Sequence, residues 1–432
     1  MRNFFQKLSP ARIVALGFAF LILLGSLLLS LPCSVRDGVE TTYADMLYTS
    51  TSAVCVTGLI TLDPADTFTP IGQTILGVLM QLGGLGVTVV GAGIILAVGQ
   101  KVDLKGRSVI RDSMNLTSSG TAVRFVKRVF LTTLTFELIG AVLSFFVFVK
   151  DFPLPRAIGI SLFHSVAAFN NSGFDILGGF QSLTNYYDNV ALNLITAALI
   201  ILGGIGFLLI REVIEKKFRW KRFSMHTKVV LCFSGILIVL GTLLLKLTDD
   251  ITWLGAFFSS VSARTAGFAT KPMGSLTGAG LLVMIVLMFI GASPGSTGGG
   301  VKTTTLFVLI TGIRSAATNR AEKAFKYSVP SDAFRKAAVI VMMGIGIVLT
   351  GTFLILVFEP ELSFIDALFE ITSAFGTAGL STGITGSLSL ASKLLCIVIM
   401  YIGRLGPMTI ATLWYFSKGE RIRYPEGNIS IG

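Results

Sequence analysis

The chain has 432 residues, 53% of them hydrophobic and 13% charged, with a formal net charge of +12. Soluble domains carry about a quarter charged residues, so composition excludes a soluble domain and selects a multi-pass membrane protein. The basic excess does not point to nucleic acid, because the stretches 1–12, 101–128, 211–228, 314–336 and 418–423 hold 26 of the 35 Lys and Arg.

The stretches between those basic ones, 32–70, 150–190, 246–280 and 359–393, carry acidic residues from Asp37 and Asp45 through to Asp366 and Glu370. This alternation is the positive-inside pattern. It predicts cytoplasmic termini and acidic outer loops that gather cations. The N-terminal MRNFFQKLSPAR precedes an apolar run at 11–31 with no small-residue cleavage site and soluble domain behind it, so it reads as a first membrane helix. A crossing needs about 20 apolar residues. Further runs at 71–98, 126–149, 190–210, 228–247, 279–314, 336–358 and 391–416 bring the predicted crossings to eight. Between the members of each pair lies a half-length segment: 43–55, 157–170, 251–263 and 364–376. Each starts polar or acidic (Asp45, Arg156, Asp249-Asp250, Asp366) and runs through an apolar stripe to Ser, Thr or Asn. Too short to span and too apolar for a solvated loop, they are predicted to be re-entrant pore helices lining a cavity.

Directly after each half-length segment stands a glycine tetrapeptide: Val56-Thr57-Gly58-Leu59, Asn171-Ser172-Gly173-Phe174, Thr265-Ala266-Gly267-Phe268 and Thr377-Ala378-Gly379-Leu380. The four glycines are 115, 94 and 112 residues apart, and each precedes a second glycine in an apolar run: Gly83, Gly203, Gly291 and Gly403. The predicted architecture is all-α, with four tandem helix–pore loop–helix repeats (1–100, 101–222, 223–330 and 331–432) around a pseudo-fourfold central pore. An ion entering a bilayer needs its hydration shell replaced, and a ring of backbone carbonyls does this. Short helices aimed at one point add the negative ends of their dipoles. Glycine tolerates the backbone angles that turn carbonyls inward. The twelve residues Val56, Thr57, Gly58, Asn171, Ser172, Gly173, Thr265, Ala266, Gly267, Thr377, Ala378 and Gly379 are therefore the candidate cation site. Helix packing explains any one of these tetrapeptides; four in equivalent places favour the ion path.

The sixth run is interrupted by Gly291-Ala292-Ser293-Pro294-Gly295-Ser296-Thr297-Gly298-Gly299-Gly300. Proline and clustered glycine break helical hydrogen bonding, so a mobile loop under the filter is expected, with a fixed kink as the alternative. Gly295 to Thr303 nearly matches a phosphate loop, but one residue is extra and no strand precedes it. Charges at membrane depth face a cavity or a partner. Arg404 is expected to raise a barrier below the filter or to hold the loop through its carbonyls. Arg264 is expected to brace the third pore helix, Lys302 to snorkel and Glu137 to pair locally. The glycines of 83–86 and 203–206 are expected to let inner helices approach or bend. Cys33, Cys55, Cys232 and Cys396 read as packing residues, and His164 and His226 lack a ligand set. No catalytic constellation or nucleotide site is visible, so no organic cofactor is expected and an ion gradient would drive transport.

Nearly the whole chain resembles the bacterial Trk/Ktr and plant HKT superfamily of potassium transporters, its Ktr branch most of all. The likeness is carried by residues 262–268, 167–174, 373–380, Ile402-Gly403-Arg404-Leu405-Gly406-Pro407 and Arg423-Tyr424-Pro425-Glu426-Gly427. The resemblance implies that the four tetrapeptides form a filter, that glycine at all four places goes with K+ selection, and that 291–300 is an intramembrane gating loop. It further implies a homodimer in a bacterial plasma membrane, worked by a cytoplasmic ring of nucleotide-binding, RCK-type (KtrA-like) regulatory subunits. Na+ is a candidate activator. The competing expectation is a secondary cation transporter with alternating access, Na+/K+ symport included, built from the same repeats.

Overall fold

Capping chemistry sets where most helices begin. A computed structural model describes residues 9–86, 89–93, 122–330 and 332–413. Ser9 caps α1 (Pro10–Leu29), and Thr42 with Asp45 forms a reciprocal capping box on α2 (Tyr43–Val54). Asp63 caps the single turn α3 (Pro64–Thr67) and Thr69 caps α4 (Pro70–Leu85). In each case a side-chain oxygen accepts one of the amide hydrogens that a helix start leaves unpaired. The long α5 (Ala122–Phe148) leads to α6 (Leu154–Phe169), then α7 (Val190–Gly204) and α8 (Phe207–Lys216). Next come α9 (Met225–Thr248), α10 (Trp253–Ser262), α11 (Gly278–Phe289) and α12 (Thr303–Thr318). A two-residue hairpin, β1 (Lys323–Ala324) and β2 (Tyr327–Ser328), is a small exception to the all-helical expectation. The described part of the chain closes with α13 (Ala333–Phe358), α14 (Phe364–Gly376), α15 (Leu390–Leu405) and α16 (Pro407–Leu413).

The four half-length segments are short helices close to their predicted bounds: α2, α6, α10 and α14. Among the described residues, Ala11–Leu29, Val123–Phe148, Met225–Thr248 and Ala333–Phe358 are long and apolar enough to cross a membrane. The other four predicted crossings are not continuous helices. Only the sixth was expected to break, yet α4 ends at Gly86, α7 at a 98° bend into α8, and α15 at Gly406. Gly86, Gly206 and Gly406 hold φ of +84°, +95° and +86°, a region closed to a continuing right-handed helix.

The inner helices connect the units in a ring. α4 packs on α6, α7 on α10, α11 on α14, and α15 returns to α2. A large hydrophobic core runs through this ring, with Tyr48, Phe169, Phe174, Phe268 and Phe375 fully buried, and a second cluster packs α11 with residues of α10 and α14. Side chains stitch the seams. The Lys393 ammonium donates to Asp45 at 2.8 Å, joining α15 to α2, and the Phe180 amide donates to Asp63 at 2.6 Å. Two of the acidic residues lie buried in short helices: Asp45, and Glu370, which accepts from Ser381 (2.7 Å) and Thr385 (2.5 Å). The basic connector at 101–121 and the motif at 423–427 lie outside the described residues.

Candidate functional site

The ends of the short helices build the site. At α2 the Val56 amide donates to the Ala53 carbonyl (3.1 Å) and the Thr57 amide to Ser52 (2.7 Å). Asn171 and Ser172 repeat this at α6, and Thr377 and Ala378 at α14. These bonds form a Schellman turn, which normally places glycine in its left-handed position. Here Val56, Asn171 and Thr377 hold it with φ of +50°, +55° and +50°. Thr265 is left-handed too (φ +77°), although its unit closes with a single bond from the Ala266 amide to Ser262 (2.9 Å). A non-glycine residue held there costs about 1–3 kcal/mol and persists only where surroundings enforce it. Two residues later stands each glycine, with φ of +96° (Gly58), +69° (Gly173), +80° (Gly267) and +78° (Gly379).

The Gly58 amide, in the same peptide unit as the Thr57 carbonyl, donates to the Ser52 hydroxyl at 3.0 Å, so that carbonyl points away from α2. The four segments meet. A β-carbon on Gly58 would lie 2.6 Å from the Ser172 oxygen, on Gly173 2.8 Å from Ala266, on Gly267 3.0 Å from Ala378, and on Gly379 2.0 Å from Thr57. Each glycine thus faces the carbonyl before the next, and the fourth faces the first. The contacts close into a cycle of four segments in which Val56, Thr57, Asn171, Ser172, Thr265, Ala266, Thr377 and Ala378 are fully buried. The buried Thr57 hydroxyl has no hydrogen-bond partner among the described residues.

Segment 291–300 lies against one side of this ring. A β-carbon on Gly298 would sit 2.1 Å from the Thr265 hydroxyl, and the Gly299 amide donates to the Thr377 hydroxyl at 2.9 Å. The Ser293 and Thr297 amides donate to the carbonyls of Gly204 (3.0 Å) and Gly203 (3.3 Å). Ser293 also meets the Thr303 hydroxyl at 3.0 Å, and the Gly295 carbonyl accepts from the Phe207 amide at 3.0 Å. The backbone freed by Pro294 is therefore bonded inside the protein, as a membrane interior demands. Gly83, Gly203 and Gly403 each press on the carbonyl of Val54, Phe169 and Phe375 in their own units. Gly291 meets Gly299 instead, so the third unit alone has its inner helix replaced by the loop.

Arg404 donates to the Thr297 carbonyl of the loop and to Gly83, with a further bond to Gly84 at 3.2 Å. It ties the loop to α4. The Lys302 ammonium does not snorkel; it folds back onto the Gly298 (2.6 Å) and Gly299 (3.2 Å) carbonyls. These two backbone carbonyls offer it a nearer solvation shell than the membrane surface does. Arg264 reaches the Ser234 hydroxyl at 3.2 Å, which ties the α10 end to α9. Glu137 accepts from the Asn170 amide at 3.0 Å, and that amide also donates to Gln81 at 2.8 Å. The sequence reading missed this network and the left-handed residues before each glycine. His164 is a core residue between Phe148 and Phe268, bonded to Thr196 at 2.9 Å.

Comparison with known proteins decides the family. The family described as TrkH, cation transport protein, matches residues 19–419. The chain belongs to the TrkH family. It is 33% identical to the Ktr system potassium uptake protein B of Bacillus subtilis over 99% of this chain and 97% of that one. It is 35% identical to the potassium/sodium uptake protein NtpJ of Enterococcus hirae over 99% and 98% of the two chains. The crystal structure of the potassium transporter TrkH from Vibrio parahaemolyticus superposes with a TM-score of 0.74, covering 94% of this chain and 85% of that one at 20% identity. That likeness carries the fold. As a TrkH-family chain with several long apolar helices, this is a membrane protein of a cation-transport family rather than of an enzyme family.

Proposed function

We propose that this chain carries potassium ions into a bacterial cell through a channel-like path whose filter is the four-carbonyl ring. The observation that supports this most is the cyclic contact of each filter glycine with the carbonyl preceding the next. Such a ring replaces the water around a monovalent cation. Four short helices add about half a negative charge each from their C-terminal ends. The printed names of relatives at 33% and 35% identity speak of potassium uptake, and of sodium as well in one case. The eight-crossing, four-repeat layout, cytoplasmic termini, the homodimer and the RCK-type regulatory ring belong to this reading.

Segment 291–300, with Arg404 and Lys302 on its carbonyls, is its gate. Three bonds from two cations hold it across the path, and their release opens it. The test is complementation of a potassium-uptake-deficient bacterium by the native chain and by Gly58→Ser, with sodium uptake measured alongside. Native rescue with altered K+/Na+ preference in the variant is expected. Unchanged preference, or a fixed co-ion stoichiometry in proteoliposomes, overturns the channel reading.

A further inference from the structure

A crevice of about 850 Å³ lies between α4, α5 and α6, away from the ring. That is within the roughly 300–1,000 Å³ of small-molecule sites. Its mouth is apolar and faces outward: Val78 is 51% exposed, Leu131 68%, Leu134 55% and Leu162 48%. In a chain that crosses a bilayer, this mouth opens sideways into lipid.

The inner wall is of another kind. Thr133 and Glu137, one turn apart on the same face of α5, line it and are 1% and 7% exposed. Among the described residues the Thr133 hydroxyl has no hydrogen-bond partner, and no Lys, Arg or His forms an ion pair with Glu137. The Glu137 carboxyl accepts from the side-chain amides of Asn170 and Gln81, but among the described residues it meets no positive charge. A carboxylate at membrane depth is costly without a cation, so a cation that entered the crevice would find a partner there. The complementary ligand has an apolar body and one ammonium that donates hydrogen bonds.

We propose that this crevice binds a lipophilic amine. Its ammonium pairs with the Glu137 carboxylate and donates to the Thr133 hydroxyl, while its hydrocarbon body lies between α4 and α5. A lipid acyl chain suits the mouth, but would press methylene groups against a buried carboxylate and an unpaired hydroxyl. Asn170 closes α6 directly before Asn171 of the ring, so a ligand that draws Glu137 away from Asn170 loosens one wall of the filter. This effect on flux rests on the proposed function; binding does not.

The test uses the full chain in phosphatidylcholine nanodiscs, titrated at neutral pH with radiolabelled N,N-dimethyldodecylamine beside 1-dodecanol, which has the same tail and no positive charge. Saturable amine binding above that of empty nanodiscs is expected, with Glu137→Gln weakening it by about 30-fold or more. A second variant is independent of charge. Gly159 lines the crevice and has open space beside it, so Gly159→Leu fills the cavity without touching Glu137 and abolishes binding. Equal binding of amine and alcohol, or binding that survives Gly159→Leu, overturns the inference. So does partition indistinguishable from empty nanodiscs, which means acyl chains fill the crevice. Disulfide cross-linking of two copies through Val78→Cys and Leu131→Cys overturns it as well, because a second chain then covers the mouth. An amine that binds a chain unable to move potassium overturns the proposed function alone. Potassium uptake without a saturable amine site overturns this inference alone.

Discussion

Replacing glycine by alanine at four equivalent places should give four different results, and the structure sets their order. Every such variant bears the cost of a left-handed backbone, about 1–2 kcal/mol. Gly38 isolates that cost: its φ is +82° and an added β-carbon would meet nothing within 4 Å. In the ring the added carbon collides with backbone. Ordinary contact begins at 3.4 Å, whereas Gly379→Ala would bring its β-carbon to 2.0 Å from the Thr57 oxygen. One of the two must move by the difference, 1.4 Å, in a strand whose amide is tied to α2. Overpacking of this kind adds about 1–3 kcal/mol. Gly58→Ala (2.6 Å) comes next, then Gly173→Ala (2.8 Å), and Gly267→Ala (2.9 Å) is mildest. Thermal unfolding in detergent and uptake in a potassium-deficient strain should follow this order, with Gly38→Ala retaining native uptake. Four ring variants behaving like Gly38→Ala, or Gly379→Ala proving the mildest, would refute the ring geometry.

Three other outcomes follow from contacts described above. Arg404→Ala removes charge-assisted hydrogen bonds worth about 1.5–3 kcal/mol each, so basal ion flux in proteoliposomes should rise, with Arg404→Lys restoring only part of the hold. Removing one member of the part-buried Asp45–Lys393 pair leaves an unpaired charge at about 1–3 kcal/mol; Asp45→Asn with Lys393→Met together should recover most of the melting temperature lost by either alone. Hydrogen bonds from Ser389 and Ser392 hold the Glu359 carboxyl below the usual carboxylate range. A lowered folded pKa means its stabilisation is present at neutral pH and lost as acid protonates it. Glu359→Gln should therefore lower stability by about 0.5–1 kcal/mol at pH 7, and the gap should close as the pH falls through the carboxyl's lowered pKa.

Much of this site was legible because its signals are local. A short apolar stretch ending in a glycine tetrapeptide states its length and its stop, so 43–55 and 364–376 fall within a residue or so of α2 and α14. Residues 83–86, 203–206 and 403–406 also carried a readable signal, a glycine three positions after the first, which marks where each inner helix turns. The sequence reading allowed packing or bending there and did not extend a break to every unit. Left-handed Val56, Thr265 and Thr377 were hidden, since β-branched residues disfavour that region and only neighbouring segments enforce it. Glu137 and its partners Asn170 and Gln81 come from three helices, and no spacing along the chain announces such a meeting. Lys302 was misjudged for the opposite reason: its partners are three and four residues away, in backbone whose path no periodicity describes.

The contact between Gly379 and Thr57 joins the last unit to the first. Three units synthesised in order can lay three sides of the oxygen ring, but nothing encloses a cation until the fourth arrives. On the proposed filter reading, a chain cut short before the fourth unit would therefore have no closed cation site.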